Sequence, residues 1–385
     1  GDALIVRLIA DLAPFVNARF QGVDKLYRSG IKPGVKVLTG KGNKADRKNF
    51  ARFAAVTGAL AMFSMLLYLR NWDDEEYRKL EDWQRDTYWV VRIGNNMFFI
   101  PKPFEVGAIA TLAERALEQF MDPTVGGRKF GERLWAMLTD TFAVDLPQMI
   151  KPPYELRVNR DTFTGRPIED PSMQRLSPSL RVRPTTTRLA IWLSQTMESA
   201  LGLVGAENAA LSPVQIDHLI AGYLGQVGAG IVATADVIWR RAWGEEMPYR
   251  HWYEYQPIRR FYRNLELPAP YTRYTTDFYN ALKEVDQAYA NIQHLLKYKE
   301  FKRAAELQQK EADKLALRKW LNRIQRDLAK INSEMRKVQM DKSMSGEEKR
   351  YRLDRLRERK NMITEQVGKE LERRRAMRAE SSARP

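Results

Sequence analysis

The last hundred residues carry the most regular pattern of hydrophobic and polar positions in the chain. Apolar side chains recur at intervals of four and three residues, which is the spacing of a narrow helical seam. The first seam consists of Leu317, Leu321, Ile324, Leu328, Ile331, Met335 and Val338, and a second consists of Leu353, Leu356, Ile363 and Val367. Two seams joined by a short polar turn predict an antiparallel helical hairpin, or helices that join a bundle with other subunits.

The second of these helices has its own start signal. Ser345 stands three residues before Glu348, so the hydroxyl and the carboxylate can each bind a backbone N–H group at a helix N terminus. The sequence therefore predicts that the second tail helix begins at Ser345. From Glu372 onward the polar, arginine-rich sequence predicts a frayed basic end.

Between residues 88 and 100 the pattern changes from helical to extended. The runs Tyr88–Ile93 and Met97–Ile100 are rich in β-branched and aromatic residues, and they flank the turn tripeptide Gly94-Asn95-Asn96. This arrangement predicts a β-hairpin that must pack on helices, because an isolated hairpin is marginally stable. The proline-rich, weakly periodic residues 146–184 predict an ordered, extended surface excursion.

Two apolar stretches are close to the length that crosses a bilayer. Phe53–Leu69 and Leu219–Ala235 each hold 17 residues without a charge, which is the short limit for a membrane-spanning helix. Both are equally compatible with buried core helices. The second stretch also offers Ala221, Gly225 and Ala229, a spacing that lets helices approach closely. The two interpretations, core helices or helices that enter a bilayer, stay open at this point.

Composition divides the chain near residue 280. Of 18 prolines and 22 glycines, residues 281–385 contain only Gly346, Gly368 and Pro385, and they carry 28 basic against 17 acidic residues, a net charge of +11. The sequence therefore predicts a mainly α-helical protein with two domains. Residues 1–280 form an irregular helical domain with one small β-hairpin, and residues 281–385 form a basic long-helix hairpin or coiled coil.

The whole chain of 385 residues has 64 basic and 48 acidic side chains, a net charge of +16, which favours acidic partners such as DNA or anionic lipid. In the tail, this charge predicts either a solvated coiled-coil face or non-specific contact with the DNA backbone. The candidate contact residues are Arg318, Lys319, Arg323, Arg326, Lys330, Arg352, Arg355, Arg357, Arg359, Lys360, Arg373, Arg374 and Arg375.

The sequence contains few of the residue types that most enzyme active sites require. The chain has no cysteine and three well-separated histidines, so we expect no catalytic residue, metal site or cofactor. The run Asp73–Glu76 is more typical of a helix cap than of a cation site, and Glu105 and Glu114 are more typical of ion pairing than of acid–base catalysis. A cell-wall hydrolase, the enzymatic alternative, requires paired carboxylates in a cleft.

Several short motifs resemble those of a known family. The main one is Phe99-Ile100-Pro101-Lys102-Pro103-Phe104-Glu105-Val106-Gly107, and others are Pro14–Arg19, Asn159-Arg160, Phe163–Ile168, Leu211–Pro213 and Ile216-Asp217. Together they resemble the large polyvalent protein-associated domains of phage and mobile-element polyproteins, over roughly residues 10 to 280. The resemblance implies that the polar motif residues are packing determinants, with Lys102 presented to a carboxylate. The motif residues are Pro101, Lys102, Pro103, Phe104, Glu105, Asn159, Gly165, Arg166, Pro167 and Asp217.

The resemblance also implies a function. Similar chains of short-tailed phages are internal virion or ejection proteins, which form a homo-oligomeric ring near the portal and leave with the genome to build a conduit across the host envelope. The implied partners are further copies of the chain, the portal or other internal virion proteins, genomic DNA and the host membrane. The implied location is the virion interior and, after infection, the host envelope or cytoplasm. The alternative is a co-injected DNA-binding or host-modulating module. Because the chain begins within a helical pattern without methionine, we expect it to be a segment of a longer polypeptide or, as the alternative, a processed product.

Overall fold

A computed structural model describes the fold. The described residues are 24–383 without residues 26, 122–148, 163, 165, 171–172, 175, 184, 243–247 and 255–257. Within them the protein is mainly α-helical with one small antiparallel sheet, as the sequence predicts.

The helices and strands fall into an N-terminal and a C-terminal set. The N-terminal set is α1 (Lys32–Leu38), α2 (Lys44–Arg70), α3 (Glu75–Arg78), α4 (Asp82–Thr87), β1 (Tyr88–Ile93), β2 (Asn96–Pro101), α5 (Phe104–Met121) and α6 (Lys151–Val158). The C-terminal set is α7 (Arg188–Gly202), α8 (Pro213–Ala242), β3 (Tyr262–Asn264), α9 (Arg273–Lys297), α10 (Phe301–Lys310), α11 (Ala312–Met340) and α12 (Gly346–Ala383).

The chain forms two compact units, each assembled from separate stretches of sequence. Unit 1 combines Gly1–Arg157, Gln256–Asn264 and Arg374–Pro385, and unit 2 combines Val158–Tyr255 and Leu265–Arg373. Residue 280, where the composition changes, lies inside α9. This helix contributes Phe278 and Leu282 to one hydrophobic core, on both sides of that position.

The small sheet of unit 1 contains the predicted hairpin and a third strand. Strands β1 and β2 pair in antiparallel register from Tyr88 opposite Pro101 to Ile93 opposite Asn96, so the turn consists of Gly94 and Asn95 alone. Gly94 has a φ of 59°, which a glycine adopts without steric cost. The third strand, β3, pairs with Asn96–Phe98 and comes from far along the chain. A strand of three residues carries no recognisable alternation, which is why the sequence did not reveal it.

Helix α2 packs along α5 and α1 in unit 1. A capping box starts it, because the Asn43 side chain accepts from the backbone N–H of Asp46 at 2.7 Å and Asp46 accepts from that of Asn43 at 3.2 Å. Just beyond its last turn, the buried Asn71 amide donates to the carbonyl of Val90 at 2.8 Å. These bonds fix both ends of α2, and the second joins it to the sheet.

The tail helices form the predicted antiparallel hairpin in unit 2. Both seams face inward. The part of α11 near Leu321 and Leu328 shares a core with Val367 and Leu371 of α12, whereas the end of α11 near Val338 packs with Leu353. Because early residues of α11 meet late residues of α12, the two helices run in opposite directions. Helix α9 covers the first of these cores.

The predicted start of α12 is present in part. The Ser345 hydroxyl accepts from the backbone N–H of Glu348 at 3.2 Å, while the Glu348 carboxylate pairs with Arg352 at 2.7 Å. The expectation of a frayed end after Glu372 was wrong over the described residues, because α12 continues to Ala383.

Two other expectations need correction. Residues 146–184 are not extended throughout, since α6 occupies Lys151–Val158 and places its two prolines in the first turn, where a missing backbone N–H costs nothing. The apolar stretch Leu219–Ala235 is not one continuous helix. Gly225 interrupts α8 with a φ of 66° and a ψ of −173°, a conformation that glycine tolerates because it has no Cβ.

Candidate functional sites

The motif residue Lys102 lies in a buried ionic cluster of unit 1. Its ammonium donates to Glu114 at 2.8 Å, to the carbonyl of Arg85 at 3.0 Å and to the hydroxyl of Thr111 at 3.1 Å. Pro101 and Pro103 flank it where the chain leaves β2 for α5. A Cβ at Gly107 would stand 2.9 Å from the Lys102 Cβ, so the motif requires glycine there. The side chains of Phe104 and Glu105 lie outside the described residues.

The rest of the cluster balances its own charge. Arg85 pairs with Glu118 at 2.7 Å, and Arg115 pairs with Asp86 and with Glu118, both at 2.6 Å. With Lys102 and Glu114, the cluster holds three cations and three anions. Because the charges cancel and the side chains bind one another, the arrangement fixes the packing of α4, α5 and the strand ends.

Burial sets the electrostatics of the Lys102–Glu114 pair. It lowers the pKa of Lys102 and raises the pKa of Glu114, because each ionised form loses its hydration, and the attraction between the two charges opposes both shifts. Keeping both groups charged therefore costs desolvation free energy. Removing one of them is also destabilising, because the other charge is then buried without a partner. Neither group opens onto solvent, since both side chains are at most 4% exposed.

The second motif, near Asn159, closes a loop in unit 2. Asn159 has a φ of 50°, and its side chain forms two 2.8 Å hydrogen bonds with the backbone of Glu169. Arg160 forms an isolated bridge with Pro167, and the guanidinium of Arg166 lies 4.3 Å from the centre of the Tyr271 ring. Gly165 lies outside the described residues. These contacts make the motif a packing element of the loop.

Asp217 fixes the start of α7. Its carboxylate accepts from the Thr187 hydroxyl at 2.7 Å and from the Thr187 backbone N–H at 3.0 Å, while that hydroxyl caps the N–H of Ala190 at 3.2 Å. Asp217 therefore holds α8 against the N terminus of α7.

The candidate DNA-contact residues of the tail have different surroundings. Lys360 is 7% exposed and donates to the Asn332 amide oxygen at 3.3 Å, which removes it from the accessible set. Arg318 lies 3.5 Å from the centre of the Tyr289 ring, and Arg357 is partly buried and pairs with Asp354 at 2.8 Å. The side chain of Arg375 lies outside the described residues. The remaining candidates are Lys319, Arg323, Arg326, Lys330, Arg352, Arg355, Arg359, Arg373 and Arg374, which are all exposed.

Three of these exposed cations form a basic face on α11. Lys319, Arg323 and Arg326 follow one another at intervals of four and three residues, and none forms an ion pair with a described residue. With Arg318, Asn322 and Gln325 they line an open depression of about 440 Å³ that contains no acidic side chain. By contrast, Lys330, Arg352 and Arg373 have acidic neighbours on their own helices. The basic face suits a polyanion.

The described residues offer little for other chemistry. They contain no group of three or more acidic or histidine side chains that could hold a metal ion. The run Asp73–Glu76 caps α3, because Asp74 accepts from the N–H groups of Glu76 and Tyr77.

By length and composition, α2 is the one described helix that could cross a membrane, and only 11% of its apolar window is buried. Within the described residues of a single chain, Phe53–Leu69 is therefore mostly exposed, and the two interpretations of this stretch stay open.

Sequence reasoning missed the partners of the buried cluster. Arg85, Asp86 and Glu118 were not singled out, although Glu118 of α5 stands four residues after Glu114 and three after Arg115 in a mainly apolar helix. Charges at helical spacing within an apolar segment share one face. That spacing is the signal from which a buried ionic face could have been inferred.

Comparison with known proteins gives one match. The family model described as Large polyvalent protein associated domain 38 matches residues 74–258. The match includes the Lys102 motif, the Asn159 loop and Asp217, whereas the tail hairpin lies beyond it. No curated protein and no solved structure matches the chain.

Proposed function

We propose that the protein is a structural internal virion protein of a phage, because residues 74–258 match the family model of a large polyvalent protein associated domain. In this proposal it assembles as an oligomer near the portal and leaves with the genome to help DNA cross the host envelope. The family match carries the proposal, since it associates the chain with phage and mobile-element polyproteins.

The described surfaces are compatible with this role. The buried cluster around Lys102 is neutral and closed, so it serves the stability of unit 1. The basic face on α11 offers unpaired cations to the packaged DNA, and the rigid hairpin of α11 and α12 can hold that face at a fixed position. Neither surface requires catalysis.

The decisive experiment examines particles of the phage that encodes the chain. Quantitative mass spectrometry of purified particles should detect several copies per particle. Cryo-electron microscopy, reconstructed around the portal without imposed capsid symmetry, should show helical density arranged as a ring on the DNA axis. Absence of the protein from particles would overturn the proposal. Its presence without ordered density would support the second function below.

The basic face favours one second function, a co-injected DNA-binding module. Lys319, Arg323 and Arg326 can each neutralise a phosphate. Log Kobs falls linearly with the logarithm of the salt concentration, and each neutralised phosphate adds about 0.9 to the steepness of that slope. Binding of the full-length protein to duplex DNA is measured by fluorescence anisotropy at several salt concentrations. Substitution of the three residues by Gln should then flatten the slope by about 2.7.

A matched control separates this face from overall charge. Lys297, Lys302 and Lys310 are exposed, are near in sequence and form no ion pair among the described residues. Their replacement by Gln removes the same net charge and should leave the slope nearly unchanged. Equal losses in both triple variants would show that binding follows net charge alone and would contradict a specific role for the basic face.

A further inference from the structure

The outward face of α2 is an apolar surface that the described protein leaves uncovered. Met62 and Leu66 are 60% and 59% exposed. We call this surface the apolar strip, and its members are Val56, Met62, Phe63, Leu66 and Leu69, of which Phe63 lies at the edge and also contacts the Trp89 ring. Because one continuous helix carries all five, the strip is a single surface and not a set of isolated apolar side chains.

The polarity of this helix pair is inverted relative to a helix pair in water. The buried side of α2 presents the hydroxyl-bearing residues Thr57, Ser64 and Tyr68, and Ser64 accepts from the Trp89 indole. The buried side of α5 presents the ionic cluster, while its Phe120 is 86% exposed. A helix at a water-exposed surface normally buries its apolar stripe and exposes its polar one. The inversion indicates that the outward side of α2 contacts an apolar medium.

The charges at the ends of α2 indicate which medium this is. Lys44, Arg47, Lys48 and Arg52 lie within its first nine residues, and Arg70 ends it. Cations at a helix N terminus oppose the helix dipole, so helix stability does not explain these four. Within the described part of the chain none of the four forms an ion pair. They are available to an external anion.

We propose that the apolar strip inserts into the acyl layer of an anionic lipid bilayer, with α2 lying along the membrane surface. The strip faces the acyl chains, and the flanking cations meet the phosphate groups of the lipids. The in-plane orientation follows because α5, α1 and the sheet occupy the other side of the helix. The stretch Phe53–Leu69, about 25 Å long, gives the strip its length.

A second copy of the chain is a poorer occupant. Pairing of two strips in the same direction would place the cationic first turns of two α2 helices against each other. Like charges at such an interface oppose association, whereas an anionic bilayer supplies the opposite charge to these cations.

The test is co-sedimentation of the full chain with vesicles of phosphatidylcholine alone and of phosphatidylcholine mixed with phosphatidylglycerol. We expect binding to the mixed vesicles and much weaker binding to the neutral ones. The double variant Met62→Ser/Leu66→Ser should bind the mixed vesicles roughly 100-fold more weakly. The control variant Leu203→Ser/Val204→Ser alters residues that are 89% and 76% exposed elsewhere, and it should bind like the unaltered protein.

A second pair of variants tests the charges. Arg47, Lys48 and Arg52 changed to Gln should weaken binding to the mixed vesicles by about fivefold per cation, and the triple variant of Lys297, Lys302 and Lys310 should not. Circular dichroism and thermal unfolding confirm that each variant is folded.

Three outcomes would overturn the inference. The first is equal binding to both vesicle types or to neither, and the second is equal loss of binding in the strip and control variants. The third is self-association without lipid that the strip variant abolishes, because a second copy would then cover the strip. The vesicle assay does not depend on the location of the protein in a particle, so its failure is distinguishable from failure of the proposed function.

Discussion

Two helix pairs in this protein solve the same packing problem in opposite ways. In unit 2, α11 and α12 bury two apolar seams and expose charge. In unit 1, α2 and α5 bury hydroxyls and an ionic cluster beside the small Ala108 and Ala110, and they expose large apolar side chains. The difference teaches that hydrophobic periodicity locates a core only where the apolar stripe is narrow. A helix that is apolar on most faces does not reveal which face the protein buries.

The largest expected effect tests the apolar core. Phe278 is fully buried in the core shared by α9, α11 and α12, so Phe278→Ala should lower the free energy of unfolding by about 3 to 5 kcal/mol. Phe301→Ala, at an exposed aromatic residue near the start of α10, should change it by less than about 0.5 kcal/mol. Urea denaturation measures both. Similar losses would show that the two aromatic side chains do not differ in burial.

The next effect tests the ionic interior. Lys102→Met leaves Glu114 buried without its cation, which should cost about 3 kcal/mol by urea denaturation at neutral pH. The double variant Lys102→Met/Glu114→Leu should recover most of this loss, because an apolar pair needs no compensating charge. If the double variant were as unstable as the single one, the rest of the cluster would require the charges themselves.

The same variant has a defined pH dependence. Burial raises the pKa of Glu114 above its ordinary value of 4.5, and loss of Lys102 removes a cation that opposes this shift. Between the unfolded and folded pKa values, the folded state then holds a proton that the unfolded state releases. The stability of Lys102→Met should therefore fall as pH rises above about 4.5, by up to about 1.4 kcal/mol per pH unit. The double variant should lack this slope, and a slope of opposite sign would contradict the assignment.

A smaller effect tests the exposed side of the comparison. Because Met62 and Leu66 lose little water contact on folding of the described chain, Met62→Ser/Leu66→Ser should change the free energy of unfolding by less than about 1 kcal/mol. Leu328→Ser, at a fully buried position of the α11 seam, should cost several times more. Comparable losses at the two sites would show that the apolar strip is covered in solution.

The smallest effect concerns the turn between α11 and α12. The Ser343 hydroxyl and backbone N–H both donate to the Asp341 carboxylate, at 2.6 and 2.8 Å, and they hold the pKa of Asp341 below its ordinary value. Ser343→Ala removes one donor, so the pKa should rise toward 3.8. An NMR titration of the carboxylate measures the change, and Ser345→Ala, which alters the neighbouring helix cap, is its control.

The sequence predicted the elements that have a strong local pattern. The tail hairpin follows from the seams of α11 and α12, and the β1–β2 hairpin follows from two extended runs around Gly94. The third strand could not be predicted, since its three residues gain their conformation only from pairing with β2. Helix α6 was missed because prolines were interpreted as interruptions, whereas two of them occupy its first turn.

The candidate sites were predictable to a smaller extent. The sequence pointed to Lys102 and to a carboxylate partner, but the identity of Glu114 depends on how α5 packs against β2. The basic face on α11 was within the predicted set, yet Lys360 could not be separated from it by charge alone. Its burial results from the approach of Asn332 across the hairpin, which is a property of tertiary packing.

During synthesis, β3 is made long after β2, the strand with which it pairs. Tyr262 of β3 donates to Asn96 of β2 at 2.6 Å across 166 positions of sequence. At ribosomal speeds of about 5 to 20 residues per second, β2 waits roughly 8 to 33 s for its neighbour after it is made. During that interval the backbone of Asn96–Phe98 is an unpaired edge, open to another nascent chain or to a chaperone. A fragment that stops at residue 258 would retain this edge permanently.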